Sequence, residues 1–383
     1  MILIFYILLF FFLLINVLKA IFSVLYIRKN PLSPMDFDIS NFSIVQPIMS
    51  GDETLENNLR FNLDNTKNAH FIWLLDSDDN LAHQICEHIK NSNDDYKNRV
   101  DIVSVDNIPN NCNRKTYKMC KALAYAREYF VAVDDDTKIT YGKIANTIKY
   151  LKENPQIVVT AYPYYKSGKG FYSKLVASFV NANSLFLYLG GSFVHPLKML
   201  SGMFYVTRTE NLKSINAFEN ILYNLSDELA LAELLNDKGF EIKLLPIPFQ
   251  ITTTIYNLKQ YLDLMKKWFV FFLHYFKKDF SPGVIVVCLF PAILPSVLLI
   301  YSLLLQSRYF LIFLSLHVIK TLINMIIRIN ILKLKESFYT ILSEPLVDYL
   351  QIIHLLHATI FPNSVIWRGK KIKLNNNKIQ IEN

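Results

Sequence analysis

The chain of 383 residues is 52% hydrophobic and 19% charged, with a mean hydropathy of +0.23. That is too apolar for an ordinary soluble protein and too charged for one embedded throughout in a bilayer, so a soluble domain joined to membrane segments is expected. The net charge of +8 forms no nucleic-acid stripe. Its basic residues cluster beside apolar runs (Arg28 and Lys29, Lys266 and Lys267, Lys277 and Lys278, Lys370 and Lys371), as suits anionic headgroups and cytosolic membrane flanks.

Residues 2–18 and 20–27 are almost wholly apolar, and the positive charge of Arg28 and Lys29 follows the run rather than preceding it. This predicts an uncleaved transmembrane anchor over 1–29 with its C-terminal end in the cytosol, not a signal peptide. The four cysteines, Cys86, Cys112, Cys120 and Cys288, form no Cys-x-x-Cys pair and have no His cluster. They read as free thiols, not as a disulfide frame or a zinc site.

Residues 42–255 alternate in type. Strands are predicted at 43–48, 70–75, 100–105, 130–133, 156–162 and 202–206, and helices from Glu53 and at 81–90, 115–129, 141–153 and 226–238. This spacing predicts an α/β domain with a doubly wound, mostly parallel sheet, which places ligands at the carboxyl ends of the strands. Asp76, Asp79 and the run Asp134-Asp135-Asp136 fall at such ends. Three like charges after a buried strand repel one another, and a hard divalent cation, Mg²⁺ or Mn²⁺, relieves that repulsion. A solvated acidic turn is the alternative. Asp135 alternates to the other face of the strand and is expected to tolerate replacement. Ser226-Asp227-Glu228 opens a helix, which by itself is plain N-terminal capping.

Residues 171–189 are apolar and aromatic, suited to a buried helix or one on the membrane surface. Residues 256–280 make an aromatic, basic amphipathic helix for the headgroup layer. Spans are predicted at 283–305 and 309–327, with His317 and Lys320 in the second facing the bundle or snorkelling. Residues 338–361 contain Glu344, Pro345 and Asp348, and span, re-enter or lie flat. The basic, polar tail 367–383 is placed in the cytosol.

In this order the residues resemble the family 2 glycosyltransferases, above all the membrane-bound ceramide glucosyltransferase group and bacterial relatives that glycosylate hopanoid-type lipids. The likeness runs from about Ser43 to Leu374. It is carried by Val45-Gln46-Pro47-Ile48-Met49-Ser50-Gly51 (Ser50 standing where lysine is usual), Leu75-Asp76-Ser77-Asp78-Asp79, Asn113-Arg114-Lys115, Asp134-Asp135-Asp136, Ser201-Gly202-Met203, Asp227-Glu228 and Trp367-Arg368-Gly369. The family's late Gln/Arg-x-x-Arg-Trp motif corresponds to Leu264-Met265-Lys266-Lys267-Trp268, where arginine has become lysine and bidentate phosphate binding is lost.

The resemblance implies a GT-A fold and inverting transfer of a sugar from a nucleotide-diphosphate sugar to a membrane lipid hydroxyl, ceramide-like or other. Asp76 and Asp79 would hold the nucleoside end of the donor. Asp134 and Asp136 would hold the cation, with Asp134, Lys115, Lys267 and Trp268 on the donor. Glu228 or Asp227 would be the base, the family expecting Asp at the second acid. Taken singly, Lys115 reads as a solvated helix start, Trp268 as an interface anchor and His195 as a loop histidine. The ordered set in this membrane layout favours the enzyme, a multi-pass protein with its catalytic domain facing the cytoplasm. The alternatives are a polyprenyl-phosphate sugar transferase or polysaccharide synthase, and a non-catalytic membrane scaffold that keeps the fold.

Overall fold

The computed structural model describes residues 1–32, 36–109, 111–195, 199–278, 285, 289–362, 364–367, 370–375 and 378–381. The chain forms two compact units. One comprises Asn30–Pro163, Pro196–Thr253 and Leu374–Asn383; the other comprises Met1–Lys29, Tyr164–His195 and Thr254–Lys373. Residues 164–195 therefore group with the N-terminal helix and the C-terminal helices, although they lie inside the stretch 42–255.

The first unit is built on an eight-stranded sheet of β1 (Phe42–Pro47), β2 (His70–Asp76), β3 (Val100–Val105), β4 (Tyr129–Val133), β5 (Thr137–Lys138), β6 (Ile157–Tyr165), β7 (Phe204–Arg208) and β8 (Glu241–Ile251). Their order is β3-β2-β1-β4-β7-β6-β8-β5. Every residue of β1, β2 and β4 is buried, which is why these runs are mostly apolar and do not alternate, with Ser43, Gln46 and His70 buried among them. The pairs β1–β2, β2–β3 and β1–β4 are parallel. The pairs β4–β7, β6–β7 and β5–β8 are antiparallel. The sheet is thus mixed, not mostly parallel. From β2 to β4, each strand is delivered by a crossover helix of the same unit; β7 is not, because the helices between β6 and β7 belong to the other unit.

The chain leaves β1 for β2 and β3 on one side and returns to β4 on the other. The carboxyl ends of β1 and β4 therefore flank the switch point where an open α/β sheet has its crevice. The helix Arg114–Ala122 lies ahead of β4 and is shorter than the expected 115–129. Leu123, Ala124 and Tyr125 donate back only three residues, which tightens the helix end. The Arg127 N–H then donates to Ser43 Oγ (2.8 Å) and turns the chain into β4. One face of the sheet packs this helix and Asp227–Asp237 through Val45, Met119, Phe130, Ala132, Leu231 and Leu235.

In the other unit, Ile2–Lys29 and Ser307–Ile331 are the two helices, among the described residues, long and apolar enough to cross a membrane. Phe290–Leu304 is apolar but shorter, and 283, 284 and 286–288 of the expected first span lie outside the described residues. Gly190 lets the helix Leu185–Val194 approach Ile2–Lys29 closely, since a Cβ there would lie 3.1 Å from the Lys19 carbonyl oxygen. Residues 171–194 are not one helix: a π-helical segment, Val180–Ser184, separates Phe171–Phe179 from Leu185–Val194. The stretch 338–361 is likewise two helices, Phe338–Leu342 and Glu344–Ile360. Pro345 lies in the first turn of the second, where its missing N–H costs nothing.

His317 and Lys320 both face the bundle and are buried, so neither snorkels. His317 Nε2 lies 2.9 Å from Asp348 Oδ2, and Lys320 Nζ lies 2.5 Å from the same oxygen and 3.0 Å from Glu344 Oε1. Arg328 reaches Glu344 Oε2 (3.0 Å) and Glu336 Oε2 (2.8 Å). The strands Ser364–Trp367 and Lys370–Asn375 pair antiparallel. Arg368 and Gly369 lie outside the described residues.

Candidate active site

Lys115 occupies the second position of the helix Arg114–Ala122, whose N-cap is Asn113. The Asn113 side chain accepts from the Thr116 N–H (3.2 Å) and donates to the carbonyls of Asn224 (3.2 Å) and Leu225 (3.3 Å). The start of this helix is thereby tied to the loop that precedes Asp227 and Glu228. The tie aims the Lys115 ammonium at three carboxylates: Asp134 Oδ1 at 2.8 Å, Glu228 Oε1 at 3.3 Å and Asp227 Oδ2 at 3.4 Å. The Lys115 side chain is only 10% exposed, so these acids are its main partners. Burial by itself would depress its pKa, but Asp134, Asp227 and Glu228 together hold it well above the usual lysine value.

Asp227 and Glu228 open the helix Asp227–Asp237 behind the N-cap Ser226, whose Oγ accepts from the Leu229 N–H (3.4 Å) and donates to Glu228 Oε2 (3.3 Å). The capping expected of Ser226 is thus present, and the two acids also meet Lys115. Their environments differ. Burial, then the Glu228 charge, pushes the Asp227 pKa up to about 7. Glu228 is also penalised by burial, yet Lys115 and backbone hydrogen bonding hold it below the usual range. The pair titrates as a unit, with one carboxylate ionised and the other carrying a proton near neutral pH.

Asp134, Asp135 and Asp136 follow β4 and point to three different neighbours. Asp134 takes Lys115. Asp135 Oδ2 accepts from the Met49 N–H (2.9 Å), across the crevice from the end of β4 to the end of β1. Asp136 accepts from Thr253 Oγ1 (3.0 Å) and Thr137 Oγ1 (3.3 Å). Among the described residues no Lys, Arg or His pairs with Asp136. Burial, then the Asp134 and Asp135 charges, pushes its pKa up to about 7.

At the end of β2, Asp76 is buried, with Arg114 Nη2 at 3.4 Å from its Oδ1 and Lys118 Nζ at 3.5 Å from its Oδ2. Lys118, fully buried, also donates to the Ile48 carbonyl (3.0 Å). Asp79 is committed to local structure: it caps the helix Asn80–Asn91 through the Ala82 N–H (3.0 Å) and accepts from the Ser50 N–H (2.9 Å) and Oγ (2.6 Å). Ser50, where the resemblance expects lysine, thus fixes the loop after β1. Lys267 and Trp268 belong to the other unit, on the helix Leu258–Lys278, where Trp268 packs against Tyr165 and Phe179.

The structure brings together Lys115, Asp134, Asp227 and Glu228, with Asp136 beside them on the same loop, and sets Asp76 and Asp79 at the neighbouring strand end. It adds Arg114, Lys118, Ser50 and Thr253. Arg114 and Lys118 are four apart on one helix face, a spacing the sequence displayed. Thr253 carried no such signal.

A mixed α/β sheet with this acidic loop at its switch point is the fold of a GT-A glycosyltransferase. The chain is similar to the mannosyltransferase PcManGT from Pyrobaculum calidifontis, solved in complex with GDP-Man and Mn²⁺, with a TM-score of 0.56 and 12% identity over 92% of this chain and 98% of that one. The chain belongs to glycosyl transferase family 21, whose family model matches residues 8–380. A second solved structure, GalNAc-T7 with UDP, GalNAc and Mn²⁺, has a TM-score of 0.42 and 10% identity over 61% of this chain and 49% of that chain. No curated protein matches the chain by sequence.

Proposed function

We propose that this glycosyltransferase moves a sugar from a nucleotide-diphosphate sugar to the hydroxyl of a membrane lipid, with inversion at the anomeric carbon. The observation that carries the reading is the single contact set of Lys115, which joins the acidic loop after β4 to the Asp227–Glu228 pair within 3.4 Å. A group transfer of this kind needs charge neutralisation at the leaving diphosphate and a base at the attacking hydroxyl, side by side.

Asp134 and Asp136 fit a divalent cation. They offer hard oxygen donors, and among the described residues no Lys, Arg or His pairs with Asp136, whose carboxyl takes hydroxyl donors. Among the described residues no group of three His, Cys, Asp or Glu side chains is arranged to hold a metal, so water and donor oxygens would complete the shell. When bound, Mg²⁺ or Mn²⁺ supplies Lewis-acid stabilisation of the departing diphosphate. Asp76, with Arg114 and Lys118, faces the nucleoside end. The Asp227–Glu228 pair takes the proton of the acceptor hydroxyl. Inversion needs one base and no covalent nucleophile.

The lipid acceptor is supported by the two apolar helices Ile2–Lys29 and Ser307–Ile331 and by the aromatic, basic helix Leu258–Lys278, which suits a headgroup layer. Lys267 and Trp268 on that helix are assigned to the donor. We place the catalytic domain on the cytoplasmic side. The test is full-length protein in nanodiscs, with Mn²⁺, a panel of nucleotide sugars and a membrane lipid extract. Release of nucleoside diphosphate together with a new glycolipid is expected; failure of every donor to react contradicts the reading.

A further inference from the structure

We propose that Lys115 is a resident counter-ion that competes with the divalent cation for Asp134, and that loading the cation shifts Lys115 onto Asp227 and Glu228. The inference rests on the reading that Asp134 and Asp136 hold the cation.

An ammonium has three N–H donors. Around Lys115 Nζ stand four acceptors: Asp134 Oδ1 at 2.8 Å, Glu228 Oε1 at 3.3 Å, Asp227 Oδ2 at 3.4 Å and the Gly202 carbonyl oxygen at 3.5 Å. The donors cannot satisfy all four well. The distances show which partner prevails: Asp134 at 2.8 Å makes the closest ion pair, and the contacts to Glu228, Asp227 and Gly202 are longer. Lys115 therefore serves Asp134 first and the base pair second.

Asp134 and Asp136 differ in the same respect. Both come from one loop, yet Asp134 has a protein cation at 2.8 Å while, among the described residues, the Asp136 carboxyl has hydroxyl donors alone. Asp136 would offer a divalent ion a carboxyl that no Lys, Arg or His pairs with among the described residues, and Asp134 one already paired with Lys115. An ion held by both would weaken the hold of Asp134 on the ammonium by competition and repulsion. The nearest remaining anions are Glu228 and Asp227, already within 3.4 Å, so a small rotation of the lysine side chain completes the transfer. A static strut would lack this unequal bonding.

Two consequences follow. The ammonium lowers the affinity for the cation when the donor is absent. Once the cation is in place, the ammonium strengthens its grip on the base pair and orients it, so that the base is organised only in the loaded enzyme. Lys115 is a positioning residue for the base and a competitor for the cation.

The test is Mn²⁺ binding to the full-length protein in nanodiscs without donor, followed by electron paramagnetic resonance, for wild type, Lys115→Met and Asp136→Asn. Competition predicts that Lys115→Met binds Mn²⁺ more tightly than wild type, on the order of tenfold, and that Asp136→Asn binds it more weakly. Equal or weaker binding by Lys115→Met overturns the inference and leaves the cation reading standing. Absence of Mn²⁺ binding in all three proteins, with a nucleoside diphosphate added as well as without it, overturns both. Should Lys115→Met fail to fold, the wild type is decisive by itself. The ammonium resonance of isotope-labelled Lys115 shifts on adding diamagnetic Mg²⁺ if the side chain changes partners, and an unmoved resonance under saturating Mg²⁺ overturns the inference.

Discussion

The carboxyl group of Glu228 lies directly over the Cα of Gly202: a Cβ on Gly202 would fall 1.9 Å from Glu228 Oε1 and 2.4 Å from its Cδ. Gly202 lies in the turn two residues before β7, so the backbone that leads into the sheet forms the floor on which this acid rests. The intruding atoms belong to the end of a side chain, so a methyl group there moves Glu228 rather than breaking the fold. Gly202→Ala is expected to lower kcat by about a hundredfold through misplacement of the carboxylate. Donor KM and the melting temperature should stay near those of wild type. An unchanged kcat would remove Glu228 from the chemistry.

The raised pKa values of Asp136 and Asp227 set a pH dependence of stability. Both carboxyls have folded-state values of about 7, above the ordinary aspartate value of 3.8. A carboxyl raised in this way binds its proton more tightly in the folded state. Its contribution is complete below about pH 4 and is lost as pH rises through about 7. Metal-free protein should therefore lose thermal stability progressively between about pH 4 and about pH 7 and level off above it. Added Mn²⁺ should restore it on the alkaline side, and Asp136→Asn should flatten the curve. Thermal scans across pH, with and without Mn²⁺, measure this. In the same range kcat/KM should rise with pH, as the Asp227–Glu228 pair gives up its shared proton with an apparent value near 7.

Asp135 was expected from its place on the strand to tolerate replacement. Its bond to the Met49 N–H instead closes the crevice between β1 and β4. Asp135→Ala is expected to free the loop that carries Ser50 and to raise donor KM about tenfold, the loss of roughly one charge-assisted hydrogen bond. Asp135→Asn keeps an acceptor oxygen and should stay within a few-fold of wild type. Donor titrations of the two variants decide between tether and bystander.

The buried ions of the second unit make a separate prediction. Lys320 neutralises both Glu344 and Asp348 in a place that water does not reach. Lys320→Met leaves those acids under-compensated and is expected to destabilise the protein by about 3–5 kcal/mol. Lys320→Met combined with Glu344→Gln removes one charge of each sign and should recover part of that loss. A double-mutant cycle read by thermal unfolding in detergent measures the coupling; additive effects would show that Lys320 and Glu344 do not depend on one another.

What was legible in the sequence was the part that violates a local rule. Asp134-Asp135-Asp136 stood out because three acids follow a strand buried in full, and Ile2–Lys29 stood out because so long an apolar run has few other uses. Strand direction was not legible: β7 has the same apolar pattern whether it runs with β4 or against it. The grouping of Tyr164–His195 with the membrane-type helices was hidden for a similar reason, since apolar helices read alike in either setting. At the site, the Lys115 hub became visible only when Asn113 was seen to tie its helix to Asn224 and Leu225, more than a hundred residues away. Gly202 resembled the family in sequence, but only the position of Glu228 explains why a glycine is required there.

The most direct test of the central claim separates donor binding from transfer. Full-length protein in nanodiscs, supplied with Mn²⁺, a nucleotide sugar that it accepts and a lipid extract, is compared with Asp136→Asn and with the Asp227→Asn/Glu228→Gln double variant. The account predicts that wild type forms glycolipid of inverted anomeric configuration, that Asp136→Asn loses cation-dependent donor binding, and that the double variant binds donor yet transfers no sugar. Glycolipid formation by the double variant at the wild-type rate would contradict it.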